Sequence, residues 1–141
     1  MQTRLLLMLI LVLIGFSAIG WAAYASEQDG ISLVVRGGTT KDLAFCITVM
    51  SGPLVEVRSL RVASSTVDPF WVVLPAGGRE SVSVKGCIRY GEIPLGFGGT
   101  TAYPLLPARY FVTVVLANGD ARRAQFTLKQ DGAIDVGKTD P

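Results

Sequence analysis

No histidine occurs anywhere in the 141 residues of this chain. That removes the usual general base near neutral pH, the Ser-His-Asp and Cys-His nucleophile arrangements, and the commonest metal-ligating side chain. Cysteine is scarce too: Cys46 and Cys87 are the only two, and a zinc site normally takes four nitrogen or sulfur ligands. A charge excess is also missing. The 13 basic and 11 acidic residues leave a formal net charge of +2, without the basic surplus of a general nucleic-acid binder. No Gly-rich stretch ends in the Gly-Lys-Ser/Thr of a phosphate-binding loop. Asp29-Gly30 and Asp131-Gly132 read as turns, because neither is followed by the acidic ladder of a calcium loop. Two carboxylates alone can serve a glycosidase, but Asp42, Glu56, Asp68, Glu80, Glu92 and Asp120 fall at turns or on alternating polar positions, where solvated surface is the ordinary place. We therefore expect no enzyme activity, no catalytic residue, no metal and no cofactor.

What the chain does have begins at its first 25 residues. Arg4 precedes an uncharged apolar run from Leu5 to Phe16, and the segment closes on Ala23-Tyr24-Ala25. A basic n-region, an apolar h-region and small residues at the cleavage positions make a signal peptide over 1–25. The uncharged stretch to Ala25 is also long enough to span a bilayer as an uncleaved anchor with Arg4 on the cytoplasmic side. Either way residue 26 onward is expected in the periplasm or outside the cell, with membrane contact only through residues 1–25. In such an oxidising compartment Cys46 and Cys87 are expected to pair as a disulfide. Cys87 shares its parity with Ser81, Ser83 and Lys85, so either the bridge lies on an outer face or a bulge at Gly86 turns Cys87 inward.

The remaining chain is the length of one domain and reads as short strands between turns. Ile31–Val35, Leu43–Met50, Phe70–Leu74, a strand from Glu80 to Tyr90, and Tyr110–Leu116 are the clearest. Val55 and Val57 alternate out of phase with Leu60 and Val62, which predicts a bulge or a change of sheet at Arg58-Ser59. Asn118-Gly119-Asp120 between two alternating apolar runs is a strong hairpin signal. The arginines are spread along the chain and read as solvent faces of strands. No helical period occurs after the export segment. The expected fold is therefore all-β: a sandwich of about seven strands over 31–129, after a loose linker at 26–30 and before a flexible tail at 130–141.

Leu106-Pro107-Ala108-Arg109-Tyr110-Phe111-Val112-Thr113-Val114 resembles the strand entry of fibronectin-like, transthyretin-like and other immunoglobulin-like sandwiches. The resemblance implies that Tyr110 packs a corner and bonds the nearby backbone through its hydroxyl. It bears on fold and not on activity.

One stretch stands apart as a candidate contact loop. Residues 90–104 hold several glycines and prolines together with Tyr90, Phe97 and Tyr103, and aromatics of this kind anchor interfaces. The alternative is a crossover connection whose aromatics fold back on the core. Taken together, these features predict an exported binding protein for an envelope protein or glycan, with no nucleic-acid partner. Two other readings stay open. The signal peptide, the size and the two cysteines resemble chaperone–usher pilus subunits, in which Gly30–Val35 would act as the donor strand to a neighbour; the C-terminal Gly137-Lys-Thr-Asp-Pro141 departs from that pattern. An inhibitor or immunity protein would instead use loop 91–104 as a plug, with Glu92 or Arg89 reaching an enzyme's cleft.

Overall fold

The computed structural model of the protein describes residues 30–50 and 54–137. The expected signal peptide or anchor at 1–25, nearly all of the 26–30 linker and the last four residues lie outside them. Among the described residues there is no helix, and therefore none long and apolar enough to cross a membrane. Ten antiparallel strands form instead: β1 (Ile31–Arg36), β2 (Ala44–Val49), β3 (Val55–Ser64), β4 (Trp71–Pro75), β5 (Val82–Val84), β6 (Gly86–Arg89), β7 (Phe97–Gly99), β8 (Ala108–Leu116), β9 (Ala121–Leu128) and β10 (Ile134–Val136). They make two sheets in a sandwich-like arrangement. The smaller has the order β1-β2-β6, and the larger β10-β9-β8-β3-β4-β7 with β5 also paired to β3.

Strand β3 is the long organiser of the larger sheet. Val55 and Val57 face inward, a bulge between Val57 and Ser59 absorbs one residue, and Leu60 and Val62 then face inward as well. The phase slip in the sequence is thus a bulge and not a change of sheet. A change of sheet does occur elsewhere, at Lys85-Gly86. Val84 ends a strand paired to β3, and Gly86, at φ 87°, begins one paired to β2. The single strand expected over Glu80–Tyr90 is therefore two strands in two sheets. Because this crossing keeps both Val84 and Ile88 buried, Cys87 stays outward and needs no inward bulge.

Two further short strands account for the rest of the difference from seven. β7 lies within the Gly-rich stretch. β10 lies in the expected flexible tail, where Ile134, Asp135 and Val136 pair with Leu128, Thr127 and Phe126. A strand thus runs through that tail to Val136. Each of these strands is only three residues long, too short to show a period of its own. β10 is also tied to the early chain: Ile134 N–H donates to the Gly38 carbonyl at 2.9 Å, and Thr39 bridges Ala133. The turn that presents Gly38 is tight, since a Cβ on Gly37 (φ 114°) would sit 2.6 Å from the Asp42 carbonyl oxygen.

The β8–β9 hairpin forms where Asn118-Gly119 predicts it. Gly119 N–H donates to the Leu116 carbonyl and Leu116 N–H donates to that of Asp120, with Gly119 at φ 91°. This is a short turn followed by a left-handed glycine, a common hairpin closure.

Between the sheets runs a line of aromatic rings. Phe45 of the smaller sheet meets Phe126 of the larger at 6.1 Å, Phe126 stacks on Tyr110 at 5.1 Å, and Phe70 stands edge-on to Tyr110 at 5.1 Å. Tyr110 is fully buried, its hydroxyl donating to the Leu106 carbonyl at 2.6 Å and accepting from Leu106 N–H at 2.9 Å. The corner that the Leu-Pro-x-x-Tyr segment predicts is present. Its rings and hydroxyl give β8 a fixed entry point into the core.

Candidate functional site

The Gly-rich stretch is a strap laid along β4 and not an open loop. Glu92 N–H donates to the Arg89 carbonyl and closes a turn around Gly91 at φ 83°. Phe97, Gly98 and Gly99 then pair with Pro75, Leu74 and Val73. Thr100 N–H donates to the Val72 carbonyl at 3.0 Å, the Thr100 hydroxyl accepts from Val72 N–H at 3.1 Å, and Tyr103 N–H donates to the Phe70 carbonyl. The glycines permit this closeness, since a Cβ on Gly99 would lie 2.2 Å from the Val72 carbonyl oxygen.

The four candidate residues on this strap separate into different roles. Phe97 is buried, 8% exposed, and belongs to the core, so it lines no contact surface. Tyr90 is half-buried, its ring edge-on to Trp71 at 5.2 Å. Its hydroxyl donates to the Tyr103 carbonyl at 2.6 Å. Burial, and secondly the neighbouring Tyr110, push the Tyr90 phenol up to about 12, so it stays neutral. Trp71 itself is wholly buried beneath this cover, and its Nε1 has no hydrogen-bond partner among the described residues. Tyr103 is 61% exposed, with one edge against Phe70 at 6.2 Å. Glu92 is exposed and lies apart from Tyr103.

Glu92 and Tyr103 line two separate concavities. The first is a groove of about 510 Å³ that Glu92, Ile93 and Pro94 share with Arg36, Asp42 and the Cys46–Cys87 bridge. That bridge joins directly opposed residues of β2 and β6, with Cα atoms 3.9 Å apart. Tyr90 N–H donates to the Leu43 carbonyl, so by alternation Cys46 and Cys87 form a non-hydrogen-bonded pair, the closer kind in an antiparallel ladder. The disulfide therefore fastens two neighbours within one sheet, on its outer face. Cys87 is exposed and Cys46 is 2% exposed. Such a bridge belongs to an oxidising, non-cytoplasmic compartment.

The second concavity is a hollow of about 350 Å³ lined by Val67, Phe70, Tyr103, Pro104 and Leu106. Val67, Tyr103 and Leu106 are each well exposed. Both of its far walls are fixed by tyrosine hydroxyls, Tyr90 on Tyr103 and Tyr110 on Leu106. Ser64 fixes the third, accepting from the Val67 and Thr66 N–H groups and donating to the Val67 carbonyl. Sequence reasoning singled out Tyr103 but missed Val67 and Leu106. Leu106 read as part of a strand entry, and no pattern in the sequence marks Val67. Their shared surface exists only once β3 and β8 are paired.

The carboxylates have structural attachments. Asp42 accepts from Thr39 N–H at 2.8 Å, the Thr39 hydroxyl at 2.9 Å and Gly38 N–H at 3.2 Å, and these bonds hold its pKa below the ordinary range. Glu56 accepts from the Ser83 and Ser81 hydroxyls, which likewise lower it. Asp68 pairs with Arg61 at 2.8 Å. Among the described residues no three His, Cys, Asp or Glu side chains gather as a metal site. No protein-family model matches the chain, and a comparison with curated proteins finds no match either.

Proposed function

We propose that this is an exported protein of the periplasm or cell exterior that works without catalysis, by binding an envelope protein or glycan. In this reading its sandwich is of the immunoglobulin-like or transthyretin-like type. The observation that carries the binding role is the hollow at Val67, Phe70, Tyr103, Pro104 and Leu106. Apolar side chains held open to water on three hydrogen-bonded supports are a contact surface prepared before any partner arrives, and such preorganisation lowers the ordering cost of association. An apolar lining favours a protein side chain as the entering group over a sugar hydroxyl. The aromatic line behind it, from Tyr103 through Phe70 to Tyr110, backs the surface with rigid core.

The test is affinity capture of the tagged full-length protein from crosslinked envelope extract, beside a Tyr103→Ala/Leu106→Asp variant. Both side chains are exposed, so the variant keeps the fold. One different protein recovered in near-equal amount with the wild type, and lost with the variant, is the expected result. A ladder of crosslinked copies of the protein itself would sink the reading in favour of a fibre subunit. For that rival, Ile31–Arg36 lies along β2 of its own chain.

A further inference from the structure

The solvent face of the larger sheet carries a second constellation, on β8 and β9, which β3 and β4 separate from β7 of the strap in the sheet order. On β8, Arg109, Phe111 and Thr113 alternate outward, between buried Tyr110, Val112 and Val114. Register places their neighbours. Thr113 stands between Arg61 of β3 and Arg123 of β9, and Phe111 between Ala63 and Gln125. Phe111 is 41% exposed, and its cross-strand neighbours do not cover it. With roughly 6.8 Å between alternate residues and about 4.8 Å between strands, Arg109, Phe111 and Arg123 form a line about 14 Å long.

Charge on this face is unbalanced where the line runs. Arg61 is engaged by Asp68, but among the described residues no carboxylate is within ion-pair range of Arg109 or Arg123. Glu56, also outward on β3, lies beyond the bulge and is occupied by Ser81 and Ser83. Asp135 lies on the edge strand β10, opposite Thr127 and two strands from Arg109, with Thr127 between them. The two free guanidinium groups are thus separated by an aromatic ring, with a side-chain amide and a hydroxyl beside it.

We propose that this face binds a linear polysaccharide bearing carboxylate groups. The guanidinium fork matches a carboxylate with two parallel hydrogen bonds. The Phe111 ring offers its apolar face to the C–H face of a sugar between them, and Gln125 and Thr113 supply donors and acceptors for sugar hydroxyls. Positive groups about 14 Å apart on a flat sheet suit an extended polymer with repeated charges rather than a single small anion. A nucleic acid would call for a larger basic excess, and a lipid surface for a broader apolar face than one phenylalanine. The proposal takes its compartment from the exported-binder reading but does not depend on the apolar hollow.

The experiment measures binding of the purified full-length protein, kept in mild detergent, to polygalacturonate, with neutral dextran, duplex DNA and phosphatidylglycerol vesicles as the other probes. Polygalacturonate is expected to bind, dextran not to, and added salt to weaken the complex. Arg109→Ala and Arg123→Ala should each weaken it about tenfold, the loss of one charge-assisted contact. Phe111→Ala should weaken it severalfold without changing charge, and Arg109→Lys should restore only part of the Arg109→Ala loss. Arg36→Ala, a charge-matched change on the other sheet, should leave binding unchanged, and so should Tyr103→Ala, which disables the hollow alone. The proposal is overturned if polygalacturonate binds no better than dextran, DNA or vesicles. It also fails if Arg36→Ala costs as much as Arg109→Ala, or if Phe111→Ala has no effect.

Discussion

Replacing Tyr110 with Phe removes one oxygen from the fully buried side chain and leaves the aromatic line intact. The ring can still stack on Phe126 and receive the edge of Phe70, both at 5.1 Å. What disappears is a pair of hydrogen bonds to one residue, donated to the Leu106 carbonyl and accepted from Leu106 N–H. Each such bond contributes about 0.5–1.5 kcal/mol net. The Leu106 side chain is 66% exposed, so water can reach part of the vacated backbone and the upper end of that range is not expected. The cost should be about 1–2 kcal/mol, read as a lower urea midpoint at unchanged slope. Tyr110→Ala, which also deletes the ring, should cost about 3–5 kcal/mol. A Phe variant within about 0.3 kcal/mol of wild type would refute the reasoning, because the hydroxyl would then be no anchor for the β8 entry. The Phe variant should also loosen the hollow, visible as faster hydrogen exchange at the Leu106 amide.

Three other outcomes follow from the geometry. Removing the bridge by Cys46→Ser/Cys87→Ser, or reducing it, should lower stability by about 4 kcal/mol, because it closes a separation of 41 residues in the unfolded chain; an unchanged denaturation midpoint under reductant would contradict this. Gly99→Val should separate β7 from β4, since its Cβ would meet the Val72 carbonyl at 2.2 Å, costing about 2 kcal/mol or more and opening residues 91–104 to limited proteolysis. In alkali the folded Tyr90 phenol holds its proton up to about 12 while the unfolded one releases it near 10; the unfolded state therefore binds fewer protons, and stability falls as pH rises from about 10 to about 12 and then levels. Tyr90→Phe should flatten that fall, and an unchanged alkaline profile would remove Tyr90 as its source.

Much of the framework was legible in the sequence because strands with one wet face write their period into the chain. Tyr110-Phe-Val-Thr-Val alternates, and its inward residues are the buried ones. The cysteine pairing was readable from compartment and count. The Arg58-Ser59 slip was readable because a bulge is the cheap way to reset parity. The strap was harder. Phe97 lies among glycines, so neither period nor propensity marks it as core, and only the pairing of Gly99 and Gly98 with Val73 and Leu74 turns its ring inward. Ile134–Val136 was opaque for a similar reason. Three residues carry no pattern, and their partners include Gly38, nearly a hundred positions earlier. The hollow was half legible, since Tyr103 was marked by its aromatic ring while Val67 and Leu106 become neighbours only through tertiary pairing.

The tie between Gly38-Thr39 and Ala133-Ile134 also sets an order of assembly. The partners of the disulfide, β2 and β6, both precede β8, the central neighbour of β3, along the chain. Where the chain emerges N-terminus first into an oxidising compartment, the bridge can therefore enclose β3, β4 and β5 while the larger sheet still lacks its middle strand. The Gly38-Thr39 turn must wait longer, for β10, which follows every other described strand. A turn between β1 and β2 that is completed only by β10 is a long-range closure, and such closure is slow. Until β10 arrives, that turn lacks the Ala133 and Ile134 partners that hold it in the finished fold.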